Sequence, residues 1–80
     1  MPKTTAVYRV YLPNDLIPLE ERKRELDAQR AARRWARTAP HFGDVEVRRY
    51  HAGSEVTVFR ARWHPECRRV LGVEVCPRAR

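Results

Sequence analysis

Glycine is scarce in this 80-residue chain, with three residues, and none falls in a G-x-G-x-x-G or G-x-x-x-x-G-K-[ST] pattern. A loop that cradles nucleotide phosphates through glycine N–H groups is therefore excluded. A nucleophile elbow, an H-E-x-x-H helix and a clear acid/base carboxylate pair are missing as well. The chain reads as a non-enzyme. Long apolar runs are also missing, since no stretch approaches the roughly 18 residues that span a bilayer. The opening MPKTTAVYRVYLP has a basic residue but neither an uninterrupted apolar stretch nor a clear small-residue cleavage site. It does not read as a signal peptide, so a cytoplasmic protein with no membrane partner is expected.

Cysteine is limited to Cys67 and Cys76. Two cysteines in a chain without a secretory signal more often stay reduced than form a staple. His64 and Cys67 have H-x-x-C spacing, with His41 and His51 elsewhere. Zinc takes four ligands, usually from two short paired motifs, and only one such pair exists. No metal and no cofactor are expected. The stretch from His64 to Cys67 reads instead as a turn ending a strand, with Pro65 blocking extension and Cys67 packed as a small apolar residue.

Lysine is nearly absent too. Of 17 basic residues only Lys3 and Lys23 are lysine, against 10 acids, and the net charge is +7 with a pI near 10.4. A domain this basic favours a polyanionic partner, because neutralising phosphates releases counterions whatever the base sequence. Charge of this size also serves simply to keep a small protein soluble. Arginine bias with abundant Ala, Val and Pro is what GC-rich codons produce, which fits a high-GC bacterium, its phages or its plasmids. At 42% apolar and 34% charged residues the composition is globular, and residues 1–80 read as one small domain.

The first element, Thr4 to Leu12, is rich in β-branched and aromatic residues and is stopped by Pro13, so it reads as a strand. A helix of about five to six turns is expected next, starting at Asn14 or Asp15 and running to Ala39. Pro18, Glu20 and Glu21 suit its first turn, and Pro40 and Gly43 its end. Ile17, Ala28, Ala31, Ala32, Trp35 and Ala39 share one side of it, an Ala-rich stripe that fits close against a sheet. Leu19 and Leu26 lie nearly opposite. Leu26 is either covered by the N-terminal segment or exposed at an oligomer contact such as a homodimer; the pattern leaves both open.

Two strands flanking Ala52-Gly53-Ser54 form a hairpin, and a last strand runs from Val70 to Cys76. A two-residue loop at Gly53-Ser54 would put Val45 and Val47 on the face of Arg60 and Arg62. A three-residue loop, Gly53 to Glu55, groups Val45 and Val47 with Phe59, Ala61 and Trp63, and this register is the one expected. The other face then holds Glu46, Arg48, Tyr50, Val58, Arg60 and Arg62. In the last strand Leu71, Val73 and Val75 turn one way and Glu74 the other. In the first, Ala6, Tyr8, Val10 and Leu12 face the core. The expected fold class is α+β in the order β-α-β-β-β, a mostly antiparallel sheet covered on one face by one long helix.

The uncovered face carries Arg9, Tyr11, Arg48, Tyr50, Arg60 and Arg62, a basic field with two aromatics. Rings can stack unpaired bases while arginines hold the backbone, or arginines can reach guanine edges in a major groove. Strand faces in water are also rich in Arg and Tyr for reasons of propensity alone. A second cluster runs along the helix: Arg22, Lys23 and Arg24, then Arg30, Arg33, Arg34 and Arg37. Its acids lie mainly before residue 28, so the C-terminal half is almost purely cationic. The expected function is a small nucleic-acid-binding accessory or regulatory factor, DNA ahead of RNA, using the sheet face opposite the helix. The second reading is a protein-interaction module, such as a phage- or plasmid-encoded inhibitor, docking on an acidic surface by an open sheet edge. Chain order, size and basicity also resemble the ribosome-dependent mRNA-cleaving toxins. That resemblance implies metal-free cleavage, for which Tyr50, Arg60, Arg62 and His64 are the candidates; it is one of topology and carries no motif.

Overall fold

A computed structural model describes residues 5–38 and 43–75. The elements are β1 (Val7–Tyr11), β2 (Glu20–Arg22), α1 (Glu25–Thr38), β3 (Val45–His51), β4 (Ser54–His64) and β5 (Arg69–Glu74). The five strands form one antiparallel sheet in the order β2-β1-β3-β4-β5, and α1 packs on one side of it. The α+β class with one helix over one sheet face is the architecture expected. Among the described residues no helix is long and apolar enough to cross a membrane.

The helix is shorter than its sequence suggests. It has 14 residues, about four turns, and begins at Glu25. Asn14 takes a left-handed φ of 64°, and the Asp15 amide donates to the Leu12 carbonyl at 3.2 Å, so the chain turns back. The Leu19 amide then donates to the Val10 carbonyl at 2.7 Å, and Glu20, Glu21 and Arg22 pair with Val10, Arg9 and Tyr8. A Glu/Arg tract has good helix propensity, but propensity is a weak prior beside the backbone pairing that the edge of β1 offers. As a result Leu16 and Ile17 project from a loop, 91% and 78% exposed, and Ile17 does not join the helix stripe. Leu19, expected on the polar side of a helix, packs against the core. Leu26 is exposed. Ala39 and Pro40, the expected helix end, lie outside the described residues.

The buried helix positions are Ala28, Ala31, Ala32 and Ala36, a 3.6-residue repeat of small side chains. They let the helix backbone lie close on Val10, Val45, Val47, Phe59 and Ala61 of the sheet. Trp35 flanks this contact rather than centring it, half-buried. Phe59 is the largest fully buried side chain. Gly72 of β5 lies beside it: a Cβ there would run into the Phe59 ring and come within 2.8 Å of the Arg33 guanidinium.

The hairpin reaches the expected facing by a different route. His51 pairs with Ser54, so the loop is Ala52-Gly53, with φ of 53° and 79°. Two left-handed residues in a two-residue loop are the type I′ pattern, whose twist suits the flanking strands. The three-residue loop Gly53 to Glu55 is not formed. Continued without interruption, this register would set Val47 opposite Val58. A bulge shifts the pairing between Val47 and Arg48, so that Val47 lies opposite Phe59 and Val45 opposite Ala61. Val58 is the extra residue, and it packs against the core instead of sharing the open face.

Alanine is strained at a left-handed position where glycine is not. Ala52→Gly should therefore leave stability unchanged or raise it by up to about 1 kcal/mol, measured by urea unfolding, although glycine also loosens the unfolded chain. A loss above about 1 kcal/mol would contradict this turn. Phe59→Ala should cost roughly 3–5 kcal/mol in the same assay, by opening a cavity in the core between helix and sheet.

Candidate polyanion interface

The open face holds all six expected residues, but it is not a basic field. Glu55, on β4 beside the hairpin turn, sits at its centre. The Tyr11 hydroxyl donates to Glu55 Oε2 at 2.7 Å. Arg9 Nη1 approaches the same oxygen at 3.5 Å, and Arg48 Nη1 lies 3.7 Å from Oε1. Arg48 also reaches Glu46 at 3.0 Å, and Arg60 Nε lies 3.4 Å from the other Glu46 oxygen. Arg62 Nε pairs with Asp44 at 2.8 Å. Glu21 lies directly across from Arg9 on β2. Arg9, Arg48, Arg60 and Arg62 thus stand among Glu21, Asp44, Glu46 and Glu55, and four charges of each sign cancel.

The aromatics are engaged as well. The Arg48 guanidinium lies 4.2 Å from the Tyr11 ring centroid and Arg9 lies 4.5 Å from that of Tyr50. Tyr11, expected to face outward and stack bases, is only 4% exposed. Burial, and then its hydrogen bond to Glu55, push the Tyr11 phenol above its ordinary pKa. Arg9 is made more basic, chiefly by hydrogen bonding to Tyr11. The face is a closed ionic network, with its donors already turned on its own carboxylates.

The helix cluster is different. Arg30, Arg33, Arg34 and Arg37 are exposed at i, i+3, i+4 and i+7 and line a cleft of about 290 Å³ with Thr38. Among the described residues only Arg34 has a carboxylate within reach, Glu20 Oε2 at 3.9 Å, while Arg33 lies 5.4 Å from the centroid of the Phe59 ring. The helix acids Glu25 and Asp27 sit in the first turn, where they meet the positive end of the dipole. The C-terminal half of the helix keeps its charge. Strand alternation places Glu46 on this face, and the structure pairs it with Arg48 and Arg60. Glu55 and Glu21 could not be placed that way, because only cross-strand pairing puts them on this face.

A groove of about 390 Å³ lies at the far end of the open face, lined by Arg60, Arg62, His64, Leu71, Val73, Val75 and Asp44. Tyr50 stands away from it, under Arg9 near the hairpin, so the four candidate cleavage residues are not gathered in one place. Cys67 is exposed in the turn after β4, its amide donating to the His64 carbonyl at 3.2 Å, and is not packed as an apolar residue. Cys76 and His41 lie outside the described residues. Among those described, no three His, Cys, Asp or Glu residues are grouped to hold a metal.

Glu20 ties β2 to the helix. It accepts from Arg22 Nε at 3.0 Å and from the Trp35 indole at 2.7 Å. These two hydrogen bonds, Arg22 first, hold its carboxyl below the usual range. A depressed folded pKa adds stability that is present above the unfolded value, about 4.3, and is lost as pH falls through the lower folded value. Glu20→Ala should therefore destabilise the protein by about 1–2 kcal/mol at neutral pH, since the site is partly exposed. The gap to the parent should narrow as urea unfolding is repeated toward pH 3. A gap that does not narrow would show that the carboxylate charge is not what the contact uses.

Comparison with known proteins finds no matching family model, no similar curated protein and no matching solved structure.

Proposed function

We propose that this protein binds nucleic acid as a cytoplasmic accessory or regulatory factor, with its phosphate contacts made by the C-terminal half of α1. One contrast carries this reading. On the open sheet face Arg9, Arg48, Arg60 and Arg62 each lie within ion-pair reach of a carboxylate, whereas Arg30, Arg33, Arg34 and Arg37 share one exposed surface with, among the described residues, a single distant acid. Arginine presents five donors in a planar fork that suits phosphate oxygens. Four of them on successive turns form a ridge about 10 Å long. Such contacts position a duplex without reading its bases.

Anisotropy titrations with labelled duplex DNA, single-stranded DNA and RNA between about 50 and 200 mM salt test the reading. Binding should weaken steeply with salt. Arg30→Ala with Arg37→Ala should keep the fold, since alanine is a good helix former, and should lower the salt slope by about two. Arg60→Ala with Arg62→Ala should change the slope little, because those charges are already paired. Absent or salt-independent binding to all three probes would overturn the proposal. A larger loss from the Arg60/Arg62 pair than from the Arg30/Arg37 pair would return the site to the sheet.

A further inference from the structure

The two edges of the sheet are unlike. β2 is three residues long, charged at every position, and its Glu20 is held by Arg22 and Trp35. Short, charged edges are protected against added strands. β5 is six residues long, has no proline, and among the described residues follows β4 as the last strand of the sheet. The Val75 amide donates inward to the Val58 carbonyl at 2.9 Å. Antiparallel alternation then turns Leu71 and Val73 inward as well, and leaves the N–H and C=O groups of Val70, Gly72 and Glu74 pointing away from the sheet.

The side chains beside that edge define what could fill it. On the open face Leu71 and Val73 lie across from Arg62 and Arg60, and Val73 is 62% exposed. On the helix face Gly72 leaves the space that the Arg33 guanidinium occupies. An incoming strand would thus meet apolar neighbours on one side and a cation beside Gly72 on the other. A second copy of this chain would bring a further +7 to a chain of +7. A carboxylate-bearing segment would bring the opposite charge, and complementary charge speeds and orients association.

We propose that β5 is a docking strand for an extended acidic segment of another protein, which adds to the sheet as a sixth strand. Its apolar residues would extend the Leu71–Val73 stripe, and a carboxylate beside Gly72 would meet Arg33. Main-chain pairing supplies affinity and the alternate side chains supply selectivity. This goes beyond the nucleic-acid reading and shares only Arg33 with it.

The test uses a fluorescein-labelled probe, VDVEVDV, titrated with the whole protein at about 50 mM salt with no nucleic acid present. Saturable binding is expected, weaker by at least tenfold for VKVKVKV, which reverses the charge. VDVPVDV, whose proline cannot pair, should weaken to the same extent. Val73→Glu, at an exposed site, should weaken the acidic probe at least tenfold while leaving the unfolding curve and DNA binding in place. Equal binding of the proline probe would overturn the proposal, because charge alone would then suffice. Loss of binding in the Arg30/Arg37 variant with none in Val73→Glu would also overturn it, by moving the peptide to the phosphate ridge. Sedimentation showing a dimer that Val73→Glu dissociates would overturn it in favour of a second copy. Failure of DNA binding would leave these outcomes unaffected.

Discussion

The bulge at Val58 decides which side chains of the long central hairpin lie under the helix and which lie in the open. The Ala52-Gly53 turn by itself sets an odd offset between β3 and β4, and that offset would carry Arg60 and Arg62 beneath α1. One extra residue reverses the alternation, bringing Phe59 and Ala61 across from Val47 and Val45. Twist at the turn and burial at the core make opposite demands on the register. The bulge satisfies both, at the loss of one rung of pairing. The helix seat, the Gly72 gap filled by Arg33, and the ionic network on the far face all depend on that single insertion.

Charge is distributed by the same geometry. Cross-strand pairing brings Glu21, Glu46 and Glu55 among arginines that are distant in sequence, so the sheet face is nearly neutral and internally bonded. A network of this kind holds side chains in place and leaves them little capacity for an outside ligand. Among the described residues no strand faces the solvent side of the helix, and of its four arginines only Arg34 has a carboxylate within reach. Arg30, Arg33, Arg34 and Arg37 therefore form, among the described residues, a cationic surface where the chain is regular, exposed and rich in alanine. The edge at β5 adds a third kind of surface, one defined by backbone groups that meet no further strand among the described residues.

Much of the fold was legible in local patterns. Ala28, Ala31 and Ala32 could be placed on the buried stripe from spacing alone, and Val45, Val47, Phe59 and Ala61 could be grouped from alternation. The facing of the hairpin was recovered even though its loop was misplaced, because burial demanded the same outcome. The segment from Asn14 to Arg22 was not legible as a turn and a strand. Its propensity is helical, and only the free edge of β1 outweighs that. On the open sheet face the positions of Arg48, Tyr50, Arg60, Arg62 and Glu46 were legible from alternation, but the pairing of these arginines with Glu46, Glu55 and Asp44 was not.

The sequence by itself determined what short-range periodicity can express: an α+β chain, a small-residue helix face, alternating strands, and a cationic C-terminal half of the helix. These follow from bond geometry repeated every 3.6 or 2 residues, which needs no knowledge of distant neighbours. Tertiary structure decided strand order, the bulge, the role of Glu20 between Arg22 and Trp35, and which arginines are neutralised. Each of those depends on groups brought together across long loops, such as Tyr11 with Glu55, 44 residues apart. The energy of such a contact is set by distance and burial in the folded chain, and neither quantity exists until the sheet has closed.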